Sequence, residues 1–127
     1  MVHQILKLSG THPTIGYSHV AKSGNTLYIA GQVAKDANDN IIGKGDFQIQ
    51  ARQVYTNLRN IVEQAGGNLQ NIVKMTTFLT HCSYVEMTRT VRAEFFREPF
   101  PPNTLIIVES LFIPDFMIEV EAIAELD

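Results

Sequence analysis

The chain has 127 residues, 45% hydrophobic and 18% charged, which suits one domain of the usual ~100–150 residues over 1–127 and excludes disorder as the default. Ten Lys+Arg against thirteen Asp+Glu give a formal charge of -3, with no net positive field to draw nucleic acid. The one cysteine, Cys82, excludes an internal disulfide framework and a Cys-paired zinc site and fits a reducing cytoplasm; no apolar run approaches the ~18 residues of a membrane span, and Met1 to Gly10 lacks a leader pattern, so an unprocessed, soluble protein is expected.

Gln4 to Leu8 is a candidate first strand. His19 to Lys22 and Leu27 to Gln32 flank a Gly24-Asn25 turn and read as a hairpin. Asp36 to Gly45, rich in Asn, Asp and Gly, is a loop. From Asp46 the period changes. Phe47, Ala51, Val54, Leu58, Ile61, Val62 and Ala65 fall at helical spacing, with Asp46 placed to cap the first free N–H groups and Gly66 to end the helix in a left-handed conformation. Ile72 to Thr80 reads as a strand covered on both sides. A second helix is expected from Tyr84 to Phe96, burying Tyr84, Thr88, Val91 and Phe95 and leaving Arg89, Arg92 and Phe96 off that side. Pro99, Pro101 and Pro102 forbid its continuation. Thr104 to Val108 and Phe116 to Ala124 are the last two strands, joined through a turn at Pro114-Asp115.

This order predicts an α+β layer, a mixed sheet with two helices on one face. On the last strand Ile118, Val120, Ala122 and Ala124 point one way, while Met117, Glu119, Glu121 and Ile123 point the other. The second set mixes apolar side chains with carboxylates, and no third layer remains to cover it. A cyclic homo-oligomer with cavities between subunits is therefore expected.

No metal-ligand or phosphate-loop spacing is present. His3, His12, His19 and His81 are scattered along the chain, and His81-Cys82 as strand neighbours would point oppositely. Cys82 reads as an inert small residue at a strand end. Glu119 and Glu121 are either proton carriers at the lip of a partly apolar cleft or solvated edge charges. Tyr17 either stacks on a planar ligand or wedges against the core. Arg89 and Arg92 are either the wet face of a helix or anchors for an anion.

Several blocks resemble the Rid family, also called YjgF or endoribonuclease L-PSP. They are Gly16-Tyr17-Ser18, Leu27-Tyr28-Ile29-Ala30-Gly31-Gln32, Gln50 to Val54, Asn57-Leu58, Ala65-Gly66-Gly67, Val73 to Leu79 and Glu119 to Ala124, in order over nearly the whole length. The resemblance implies a chorismate-mutase-like fold, a homotrimer with a central barrel, and small-molecule clefts between subunits. It further implies a cofactor-independent hydrolase, a deaminase that converts reactive enamines and imines to 2-keto acids and ammonia. In that family an arginine of a Pro-x-Arg-Ser/Thr segment grips the substrate carboxylate, and a glutamate of the last strand with backbone carbonyls positions water.

Here the segment reads Pro101-Pro102-Asn103-Thr104. Asn103 stands at the arginine's place, which exchanges a charge-assisted bond of about 1.5–3 kcal/mol for a neutral one near 1 kcal/mol. Glu119 aligns with the family's glutamate, Tyr17 with its pocket tyrosine and Ala30 with a common serine. Arg89 falls where many members carry asparagine, so the cation has moved, in this reading, from strand to helix. The expected site is thus Glu119 as catalytic group, with Tyr17, Ala30, Gly31, Arg89, Asn103 and Thr104 around a carboxylate-bearing imine. The resulting expectation is a deaminase of altered preference. A non-catalytic small-molecule-binding or regulatory trimer is the alternative, and RNA cleavage is disfavoured by the charge.

Overall fold

The computed structural model describes residues 3–127, so the first two residues of the Met1 to Gly10 start lie outside it. Strands β1 (Gln4–Ile5), β2 (Val20–Ser23), β3 (Thr26–Gln32), β4 (Ile72–Leu79), β5 (Asn103–Ile107) and β6 (Ile118–Glu125) form one sheet in the order β1-β2-β3-β6-β4-β5. Only β4 and β5 pair in parallel; the other pairings are antiparallel, so the mixed α+β layer is observed. Because β6 lies antiparallel to both β3 and β4, those two run the same way. Helices α1 (Phe47–Gln64) and α2 (Val85–Arg92) therefore connect β3 to β4 and β4 to β5 as crossovers advancing in one direction across the sheet. Right-handed crossovers of that kind place both helices on the same face.

The capping residues of α1 do what their chemistry suggests. Asp46 Oδ1 accepts from the Ile49 N–H at 3.1 Å, and Gly66, at φ +100°, lets the Gly67 N–H reach the Val62 carbonyl at 3.0 Å. Its buried stripe of Ala51, Val54, Leu58, Ile61 and Val62 packs on Ile118, Val120, Ala122 and Ala124 of β6, all at most 4% exposed. Two buried amides fix α1 against the loops around it. Gln50 donates to the Gly43 and Asp115 carbonyls and accepts from the Met117 N–H, and Asn57 donates to the Val33 and Lys35 carbonyls. These bonds set the end of β3 and the start of β6, the two segments that carry Gly31 and Glu119.

Three expectations change. β1 is two residues long rather than reaching Leu8, because Leu6 and Leu8 lean on the core instead of pairing. The second helix is shorter than Tyr84 to Phe96: a 3-10 turn, Cys82–Tyr84, precedes it, and the chain after Arg92 tightens through Glu94 N–H to Val91 and Phe95 N–H to Arg92 bonds. Such i to i+3 bonding advances each residue by more than an α-helical step. Phe96, beyond the end of α2, is 4% exposed and edge-on to Tyr55 at 5.9 Å, not displaced from the buried side. Lastly, His81 and Cys82 are not strand neighbours. His81 caps the 3-10 turn, accepting from the Ser83 N–H at 3.0 Å, and Cys82 opens that turn, exposed.

Among the described residues no layer covers the face of the sheet away from the helices. Ile5, Ala21, Tyr28, Ile123 and Lys74 lie in register across five strands there, and Tyr28 is 52% exposed. Among the described residues no helix is long and apolar enough to cross a membrane.

Candidate functional site

Glu119 stands on this uncovered face, opposite Phe78 of β4. On its other side β3 is irregular between Ile29 and Gln32, and Gly31 sits directly against the carboxylate. A Cβ at Gly31 would lie 2.8 Å from Glu119 Cδ, closer than any side chain tolerates, so glycine is what admits the carboxyl group. Burial raises the Glu119 pKa above the ordinary carboxylate range, and the like charge of Glu121 adds to it. Ala30 is held beside them: its N–H donates to the His19 carbonyl at 2.8 Å, and its carbonyl accepts from Gln32 Nε2 at 3.1 Å.

Asn103 is on the opposite side. It pairs with Met75, whose side chain is buried under the helices, and its Oδ1 accepts from the Thr77 hydroxyl at 2.8 Å. There it lines a cavity of about 330 Å³ with Arg89 and Arg92 of α2 and with Met75, Phe96 and Phe100. Arg89 also donates to Glu86 Oε1 at 2.6 Å on its own helix. Thr104, the next residue, necessarily faces the other way, and accepts from Lys74 Nζ at 2.7 Å.

Tyr17 belongs to neither place. Half-exposed, it lines a separate cavity with His12, Lys35 and Phe112, its ring 6.4 Å edge-on from His19. Behind it the structure gathers two histidines that read as scattered in the sequence. His12 and His19 meet edge to face at 4.6 Å. The Gln32 amide donates to His19 Nδ1 at 3.1 Å, so His19 Nε2 carries the proton and donates to the His12 carbonyl at 2.8 Å. Burial lowers the His12 pKa, and the ring is held neutral at ordinary pH. Only the hairpin and the loop before it create this cluster; no spacing rule announces it.

One chain thus brings Glu119 to Gly31 and Ala30, and Arg89 to Asn103, but separates these pairs by the thickness of the sheet and leaves Tyr17 and Thr104 apart from both. Among the described residues no three His, Cys, Asp or Glu side chains are grouped to hold a metal ion.

A family model described as Endoribonuclease L-PSP matches residues 9–126. A RutC family protein of Pyrococcus horikoshii is 40% identical over 108 residues, 85% of each chain. A 3-aminoacrylate deaminase, RutC of Acinetobacter baylyi, is 30% identical over 98% of both. The crystal structure of RidA from an Antarctic Psychrobacter superposes with a TM-score of 0.89 at 30% identity, covering 97% of this chain and 99% of that one.

Proposed function

The chain belongs to the endoribonuclease L-PSP family, the Rid or YjgF family, some of whose relatives are named deaminases, and from that premise we propose that it hydrolyses reactive enamines or imines to a 2-oxo acid and ammonia. The observation that carries this reading is Glu119, a half-buried carboxyl group held against Gly31 with its proton affinity raised. Such a group accepts a proton from water and returns it within one cycle. Water attacks the C=N carbon as Glu119 takes its proton, and the π electrons pass to nitrogen. The proton then moves to that nitrogen to give a carbinolamine; its hydroxyl proton passes through Glu119 to the nitrogen as the C–N bond breaks, so that ammonia leaves as the carbonyl forms.

The site is completed by further copies. The uncovered apolar row through Tyr28 and Ile123 supports a homotrimer in which one subunit's Glu119 face meets another's Asn103 cavity. In that cavity Arg89 takes the carboxylate in place of the family's arginine, since Asn103 offers only a neutral amide.

Ammonia release from imines generated in place from serine, threonine and less polar amino acids tests the reaction; a rate equal to buffer alone refutes it. Arg89→Ala lowers kcat/KM about tenfold or more, and Asn103→Arg raises it for the simplest 2-imino acids by a similar factor. An unchanged Arg89→Ala enzyme ends the idea that the cation moved. A binding module without turnover is the second reading, favoured by the occupation of Asn103 and Arg89 by Thr77 and Glu86. Ligand binding without ammonia release selects it.

A further inference from the structure

Arg92 gives the helix-side cavity a second cation that the proposed reaction does not use. Its guanidinium lines the cavity beside Arg89, yet among the described residues it forms no ion pair, whereas Arg89 is engaged by Glu86. Arg92 Nη1 is turned into the protein, away from water. Behind it stands Tyr55, fully buried, whose hydroxyl interacts with the Arg92 guanidinium and so holds it at the cavity wall. A guanidinium held in this way still brings an un-neutralised positive charge to the cavity wall, and an anion arriving in the cavity is the partner that charge lacks. The remaining wall is apolar: Met75 and Phe96 are buried, and Phe100 is 57% exposed at the rim with its ring free to cover a ligand.

We propose that Arg92 is a specificity-determining anchor, and that the cavity selects carboxylates bearing a bulky apolar or aromatic group, the carboxylate on the guanidiniums and the apolar body between Phe96 and Phe100. This rests on the cavity being the carboxylate-binding part of the site proposed above. It narrows the substrate to imines of large apolar amino acids. A volume of about 330 Å³ holds an aryl 2-oxo acid and leaves a three-carbon acid touching little of the apolar wall.

Calorimetric titration of the intact protein with phenylpyruvate, pyruvate and benzyl methyl ketone tests this without turnover. Phenylpyruvate binds about tenfold or more tightly than pyruvate, and the uncharged ketone shows no binding. Arg92→Gln weakens both acids by about tenfold or more, and Arg92→Lys by less. Phe100→Ala, at an exposed position, weakens phenylpyruvate alone, and it decides the matter if Arg92→Gln fails to fold. Equal affinities for the two acids, no binding of either, or wild-type affinity in a folded Arg92→Gln protein overturns the proposal. Tight phenylpyruvate binding with no ammonia release leaves this inference standing and removes the reaction; ammonia release with unaltered Arg92→Gln binding does the reverse.

Discussion

On the uncovered face, Glu119 lies beside a second carboxylate and a glycine that makes room for it; on the helix side, two guanidiniums frame a cavity walled by methionine and phenylalanine. The two regions share strands and differ in what the neighbouring layer supplies. Side chains alternate across each strand, so Glu119 and Val120, or Asn103 and Thr104, are committed to opposite environments by one residue of register. The carboxylates thereby gather on the face that no described residue covers, and the guanidiniums gather where α2 shelters a cavity. A sheet so divided holds two half-sites, which in the proposed trimer become one when a second copy presents the complementary half.

The comparison breaks most sharply at Glu119. Replacing it with Gln removes the proton carrier and keeps the shape, so ammonia release falls by about a hundredfold or more while carboxylate binding at the helix-side cavity stays within about twofold of wild type. Equal loss of both would mean the regions are not chemically distinct. Gly31→Ala sharpens the same point with a smaller effect. The added Cβ, 2.8 Å from Glu119 Cδ, displaces a side chain rather than backbone. Activity should drop about tenfold with a thermal midpoint changed by only a few degrees, read by kinetics and circular dichroism on the same preparation.

Much of this architecture was legible in the residues because the relevant signals are local. The period of α1, its Asp46 and Gly66 ends, and the in-out alternation of Ile118 to Ala124 each follow from a short stretch of chain. What depended on long-range pairing was not. That Glu119 rests on Gly31 requires β6 to insert between β3 and β4 with an irregularity at that point. That Asn103 and Thr104 part company follows from the β4–β5 register, which no local pattern encodes. His12 and His19 meet because the loop before β2 brings His12 back to the start of that strand, and Phe96 packs on Tyr55 beyond the end of α2. The arginines were visible as candidates; that both border one cavity with Asn103 was not.

The smallest effect concerns Glu121. Burial is the larger cause of the raised Glu119 pKa and the Glu121 charge the smaller, so Glu121→Gln lowers it only in part. In the proposed reaction Glu119 accepts a proton from water and must be ionised. Activity therefore falls as pH falls through its pKa, and the acid limb lies above the range of an ordinary glutamate. Glu121→Gln moves that limb to lower pH without abolishing turnover. Stability runs the other way. A carboxyl group whose folded pKa is raised favours the folded state when protonated, a contribution fully present below the unfolded pKa and lost as pH rises through the folded one. Removing either charge should thus stabilise the protein at neutral pH, Glu119→Gln more than Glu121→Gln, with the gain disappearing toward pH 4. Denaturant midpoints at both pH values measure this, and a loss of stability in Glu121→Gln at neutral pH would show that the two carboxylates do not repel one another.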